Sequence, residues 1–192
     1  MFTDPILQQL VTKYPTPEFE DRSEHLMESL IKSIISQQLS VKAAATIFGR
    51  FKELFNTNNF PTAKEILAVD DETIRSAGLS YAKIKYVKSV ANAFVGNLID
   101  SEKIRKQSDE EVIAELTQIH GIGRWTAEMI LIFSLQRPDI FSIDDLGIRN
   151  AIARLYGISN RKEMIKLSEQ WKPYRSTACW YLWRSLASSP DL

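Results

Sequence analysis

Very little in this sequence can build a metal centre or a covalent staple. Cys179 is the single cysteine, which excludes a disulfide within the chain and any four-cysteine iron–sulfur or zinc site. With His25 and His120 the only histidines, ligands for a side-chain transition-metal centre are too few. Excess charge is also lacking: 24 basic residues face 24 acidic ones, so nothing pulls the whole molecule towards a polyanion. The apolar run Met129 to Phe133 is far too short to cross a bilayer. Met1-Phe2-Thr3-Asp4-Pro5 has no basic segment leading into an apolar one. The expectation is an intracellular, soluble protein of the cytoplasm, nucleoid or nucleus, with no membrane partner and a monomer as the default state. What is present is a hydrophobic content of 44% over 192 residues, enough to bury a core in a single domain spanning 1–192.

Apolar residues recur at three-to-four spacing through Ile6 to Val11, Leu26 to Ile35, Ala43 to Phe55, Ile84 to Ile99, Val112 to Ile119, Ala127 to Leu135, Ile148 to Tyr156 and Met164 to Trp171. Helix starts are marked by Thr62 with Glu65, Ser108 with Glu111 and Asn160 with Glu163, each placing a capping oxygen three residues before a carboxylate. Gly78, Gly121 and Gly157 fall where helices need a left-handed residue to stop. No alternating run argues for a strand, so the fold class is all-α. Basic residues gather at Lys83, Lys85 and Lys88 and at Arg149 and Arg154, either as a contact patch for a polyanion or as ordinary solvated helix faces.

Two stretches read as helix, tight turn, helix: 71–94 around Gly78-Leu79-Ser80, and 109–135 around His120-Gly121-Ile122-Gly123. In the second, the glycines let the backbone turn sharply and leave amides uncovered at the start of the next helix, where an anion such as a DNA phosphate can sit; Ile122 would plug the turn onto the core. An ordinary αα-hairpin accounts for the same residues. Gln37, Gln38 and Leu39 lie at a tip between two helices, with Ser40 capping the second.

Taken together, Ile119-His120-Gly121-Ile122-Gly123-Arg124-Trp125-Thr126-Ala127 and Phe141-Ser142-Ile143-Asp144-Asp145 resemble the hairpin and the following acidic loop of the helix-hairpin-helix (HhH-GPD) DNA glycosylase superfamily. Ile35-Ser36-Gln37-Gln38-Leu39-Ser40, Gly78-Leu79 before Lys83, and Trp171-Lys172-Pro173-Tyr174-Arg175-Ser176 agree with it in order and spacing. Within the superfamily the likeness is to the AlkA type, 3-methyladenine DNA glycosylase II, without the extra β-containing amino-terminal domain of that type, for which the chain has no room. The resemblance implies a two-lobed helical fold with the active-site cleft between a lobe of roughly 26–135, carrying the hairpin 119–124, and a second lobe of 1–25 plus 136–192.

For function, the resemblance implies a monofunctional glycosylase of base excision repair. Such an enzyme flips alkylated purines of the 3-methyladenine and 7-methylguanine type out of damaged double-stranded DNA and hydrolyses their glycosidic bonds to leave an abasic site. Asp145 takes the catalytic place, with Asp144 left to cap the next helix; either acid serves equally well as a simple N-cap. Members that also nick DNA carry a lysine where this chain has Trp125, and nothing in the spacing of Lys85 or Lys172 offers a replacement amine. Trp125, Trp183 and Tyr174 take pocket positions suited to a cationic base, and Met129 a pocket position where the family has an aromatic, with Trp180 and Tyr181 nearby, although packing at helical spacing accounts for Trp180 and Trp183 as well. Gln38 and Leu39 are placed to enter the duplex, and Gly121, Ile122, Gly123, Arg124 and Thr126 to hold the backbone. No cofactor is expected beyond a structural cation on the carbonyls of Thr117, Ile119 and Ile122. Two rival readings are a non-enzymatic helix-hairpin-helix DNA-binding module and a bifunctional glycosylase/lyase; a purely structural helical domain would make every motif a coincidence.

Overall fold

The computed structural model describes residues 2–55 and 59–186, so both extremities of the expected 1–192 domain lie outside the described residues. Among the described residues there are twelve α-helices and no strand, in agreement with the all-α reading. The helices are α1 (Pro5–Lys13), α2 (Leu26–Ser36), α3 (Val41–Glu53), α4 (Ala63–Ala68), α5 (Asp71–Ser76), α6 (Tyr81–Val95), α7 (Ser101–Lys106), α8 (Asp109–Leu116), α9 (Arg124–Phe133), α10 (Leu146–Tyr156), α11 (Arg161–Ser168) and α12 (Arg175–Leu186). No described helix is long and apolar enough to cross a membrane.

Capping chemistry sets the boundaries. Thr62 and Ser108 form full capping boxes with Glu65 and Glu111, and Asn160 accepts from the amides of Lys162 and Glu163. Gly78, Gly121 and Gly157 take φ of 105°, 97° and 68°, the left-handed conformation expected of them. The periodic stretch read as Ile84 to Ile99 stops early, because Gly96 caps α6 and Asn97 turns left-handed at φ 53°.

The chain divides into two compact units, residues 21–130 and residues 1–20 with 131–192. In the 21–130 unit, α2, α4 and α5 pack on α6, and α3 packs on α2. Leu30, Ile31, Ile34, Phe51, Ile66, Ile74, Ile84, Val87 and Val90 are almost wholly excluded from solvent there.

In the other unit α12 packs against α10 and α1, joining Leu7, Leu10, Ile148, Ile152, Met164, Trp171 and Leu182 in one core. Asp4, 3% exposed, caps α1 through the amides of Ile6 and Leu7. Its second oxygen accepts from the Tyr156 hydroxyl (3.0 Å), the Trp171 indole (3.0 Å) and the Gln170 amide (3.2 Å), so a buried charge is fully hydrogen-bonded. Burial, reinforced by the Asp4 charge, pushes the Tyr156 phenol far above its ordinary range.

Candidate functional site

In the 21–130 unit the hairpin between α8 and α9 turns at Ile119 to Ile122, whose amide donates to the Ile119 carbonyl at 3.0 Å. Gly121 admits no side chain: its φ is positive, and a Cβ would run into the Tyr86 ring, which meets the edge of His120 at a centroid distance of 4.9 Å. Ile122 is 5% exposed and plugs the turn onto the core as expected. Gly123 has open space where a Cβ would stand, and α9 starts there, Ala127 donating to the Gly123 carbonyl at 3.0 Å. First-turn amides such as those of Gly123 and Arg124 have no partner inside the helix, so the turn has the geometry of an anion cradle.

The tip between α2 and α3 belongs to the same unit. Gln37 ends α2, Gln38 is left-handed at φ 59° and exposed, Leu39 is exposed, and Ser40 caps α3 by accepting from the Ala43 amide. Val41, which sequence reasoning passed over, is 75% exposed just beyond the tip. The Gln37 side chain reaches the Gly121 carbonyl at 3.4 Å, tying tip to hairpin.

The other unit holds the acidic loop. Asp145 caps α10, its Oδ1 accepting from the Ile148 amide at 2.8 Å and from the Trp183 indole N–H at 2.9 Å. The Trp183 ring in turn lies 5.7 Å from Phe133, and Phe133 meets Phe19 edge-on at 5.8 Å. Gly147 makes this possible: a Cβ there would stand 3.0 Å from Asp145 Oδ1 and 3.1 Å from Trp183 Cδ1. A carboxylate held by two donors beside a partly exposed aromatic wall can stabilise positive charge developing on a sugar.

Several expectations change. Asp145, not Asp144, is the cap; Asp144 pairs with Arg161 instead, because α10 begins one residue after Asp145 and only that side chain reaches the amide of Ile148. Trp183 meets the carboxylate rather than serving as packing alone. Tyr174 is exposed at the head of α12, nine residues and so about 13 Å of helix rise from Trp183, which does not join them in one cluster. Trp180 packs under the Arg184 guanidinium and against Tyr181, itself 2% exposed, so both are structural. On α9, Trp125 is 39% exposed and Met129, one turn on, is half-buried.

Arg124 donates to Glu110 at 2.8 and 3.2 Å and to Glu128 at 3.0 Å, so its guanidinium is engaged by acids rather than presented to a phosphate. Thr126 is 3% exposed, which leaves its backbone amide as the group suited to a phosphate. Three of the five clustered basic residues are engaged within the fold: Lys83 turns to backbone carbonyls, Lys88 pairs with Asp71 at 2.6 Å, and Arg154 donates to the Ser185 carbonyl. Phe19 escaped sequence reasoning because a lone aromatic in a loop carries no periodic signal, and Phe133 because it reads only as one more apolar residue of the Ala127 to Leu135 stretch.

Residues 31–174 match the model of the HhH-GPD superfamily base excision DNA repair proteins. DNA-3-methyladenine glycosylase 1 of Schizosaccharomyces pombe is 45% identical over 184 residues, covering 93% of this chain and 80% of that protein. The structure of the S. pombe 3-methyladenine DNA glycosylase in complex with abasic DNA superimposes with a TM-score of 0.88 at 40% identity, over 99% of this chain and 95% of the other. A DNA-3-methyladenine glycosidase from Bacillus halodurans superimposes at 0.80 with 34% identity, covering 96% and 86%. The chain belongs to the HhH-GPD superfamily of base excision DNA repair proteins.

Proposed function

We propose that this protein is a monofunctional DNA-3-methyladenine glycosylase that hydrolyses the glycosidic bond of alkylated purines in duplex DNA. The observation that carries this reading is Asp145, clamped by the Trp183 indole and the Ile148 amide at the head of α10. Alkylation at N3 or N7 makes the purine a cation, and as the C1′–N bond breaks its electrons go to the base, neutralising it. Positive charge passes to the sugar, where the Asp145 carboxylate stabilises it until water adds to C1′ and gives up its proton. A base that leaves this readily needs little acid catalysis, so recognition falls to aromatic surface: Trp125 and Trp183 by stacking and cation–π attraction, Met129 by apolar contact.

With Trp125 at the hairpin position, no amine is available there to attack C1′, so the product is an abasic site in an unbroken strand. The first-turn amides of α9 hold a phosphate and the Gln38–Leu39 tip fills the space the base leaves. A structural cation would be held by the carbonyls of Thr117, Ile119 and Ile122. The Ile119 carbonyl already accepts one amide and keeps a second lone pair for it. When bound, the ion would add positive charge beside the phosphate. The finer assignment to the AlkA-type glycosylase II, and the 7-methylguanine part of the substrate range, belong to the same proposal.

The test is release of methylated bases from methylated duplex DNA, combined with borohydride trapping. Release without a trapped adduct supports the reading; a trapped adduct would make the protein a bifunctional glycosylase/lyase. Tight DNA binding without release would make it a binding module.

A further inference from the structure

We propose that Lys83 is a positioning residue for base flipping: its ammonium clamps the end of α2 and thereby sets the Gln38–Leu39 tip that enters the duplex. The inference rests on the glycosylase reading above. Lys83 Nζ donates to the Ile35 carbonyl at 2.7 Å and to the Gln37 carbonyl at 2.7 Å, one on each side of the residue where the helix stops. These are terminal carbonyls that the helix itself leaves without donors.

The usual solution at such an end is a left-handed glycine, which presents nothing outward. Here the left-handed residue is Gln38, whose Cβ opposes that conformation and whose side chain is exposed. Backbone strain of this kind persists where the surroundings hold it, and it marks places where the outward side chain matters. The charge is costly as well, since burial holds the Lys83 amine below the ordinary lysine range.

Lys83 also stands on the helix that braces the hairpin. Ser80 caps α6 through the Lys83 amide, and Tyr86, three residues on and on the same face, fills the space beside Gly121. Gln37 closes the triangle by donating to the Gly121 carbonyl. One helix therefore fixes the wedge relative to the phosphate cradle, two elements that must engage DNA in register if a base is to leave the stack.

The experiment compares wild type, Lys83→Met and Lys83→Arg in single-turnover release of 7-methylguanine. One duplex has the lesion paired and stacked; a second has it in a mismatched bulge where the stack is already broken; a 2-aminopurine neighbour reports unstacking. A positioning role gives Lys83→Met a loss of about tenfold on the paired duplex, a weaker fluorescence rise, and a rate within about twofold of wild type on the bulge. Lys83→Arg restores most of the paired rate, and adding Lys83→Met to Gln38→Ala costs little more, because both act on one element. If Lys83→Met does not fold, Lys83→Leu, which likewise removes the donor from the Ile35 and Gln37 carbonyls, carries the same comparison. Equal losses on both duplexes, or none on either, overturn the inference while the glycosylase reading stands. No release of any methylated purine by wild type overturns both.

Discussion

Replacing Gly147 with alanine separates the chemistry of the site from the stability of its helix. The new methyl would meet Asp145 Oδ1 at 3.0 Å, Trp183 Cδ1 at 3.1 Å and Trp183 Nε1 at 3.3 Å. Carbon atoms prefer about 3.5–4.0 Å, so the indole must retreat by several tenths of an ångström and its 2.9 Å bond to Asp145 lengthens towards the limit of a useful hydrogen bond. A bond to a charged group contributes about 1.5–3 kcal/mol. If that contribution is expressed in the transition state, the rate of base release falls roughly 10- to 100-fold at about 1.4 kcal/mol per decade. Stability changes less than the rate, since the preference for alanine over glycine in a helix, up to about 1 kcal/mol, offsets part of an overpacking cost of about 1–3 kcal/mol. Single-turnover release and urea unfolding, measured on the same preparation, check both halves. A release rate within about twofold of wild type would refute the claim that the Trp183 contact organises Asp145.

Other expectations follow from the frame around the site. Asp4→Ala removes a helix cap and leaves the buried Trp171 indole and Tyr156 hydroxyl without their acceptor, a loss of about 3–5 kcal/mol visible as a shifted urea midpoint; a change under about 1 kcal/mol would contradict the buried network. Hydrogen bonds from the Thr62 and Ser108 hydroxyls, then from their amides, hold Glu65 and Glu111 below the ordinary glutamate value of 4.5. Because these pKa values are lowered on folding, their stabilisation is full above pH 4.5 and fades as the pH falls through the lowered values. The Tm deficit of a Glu65→Ala, Glu111→Ala variant is therefore expected at pH 7 and expected to shrink below about pH 4.5; a deficit constant with pH would count against the capping boxes.

Much of the fold is legible because its signals are local. Thr62–Glu65 and Ser108–Glu111 name helix starts, Gly121 and Gly157 name stops, and the three-to-four spacing of Leu26, Leu30, Ile34 and Ile35 names a buried face. Two helices carry weaker signals. In α7 Ile104 is the single apolar residue, and α12 buries Ser176, Arg184 and Ser185 with its apolar residues, so its pattern is blurred. Asp145 was legible by resemblance, and as a helix cap from its place before α10; that it accepts from a tryptophan 38 residues away was not, because a long-range hydrogen bond leaves no spacing in the chain. The same holds for Arg124, whose ion pair with Glu110 depends on how α8 and α9 meet. Lys83 reads in sequence as one of three surface lysines, and only the fold turns it towards the end of α2.

The central claim is that Asp145 drives hydrolytic base release without strand cleavage. The most direct measurement is release of methylated purines from methylated duplex by wild type and by Asp145→Asn, with strand integrity read before and after alkali, and folding and DNA binding checked in both. Release by wild type, loss of about 100-fold or more in the variant, and breaks only after alkali are the expected result. Undiminished release by Asp145→Asn, or breaks before alkali, would contradict it.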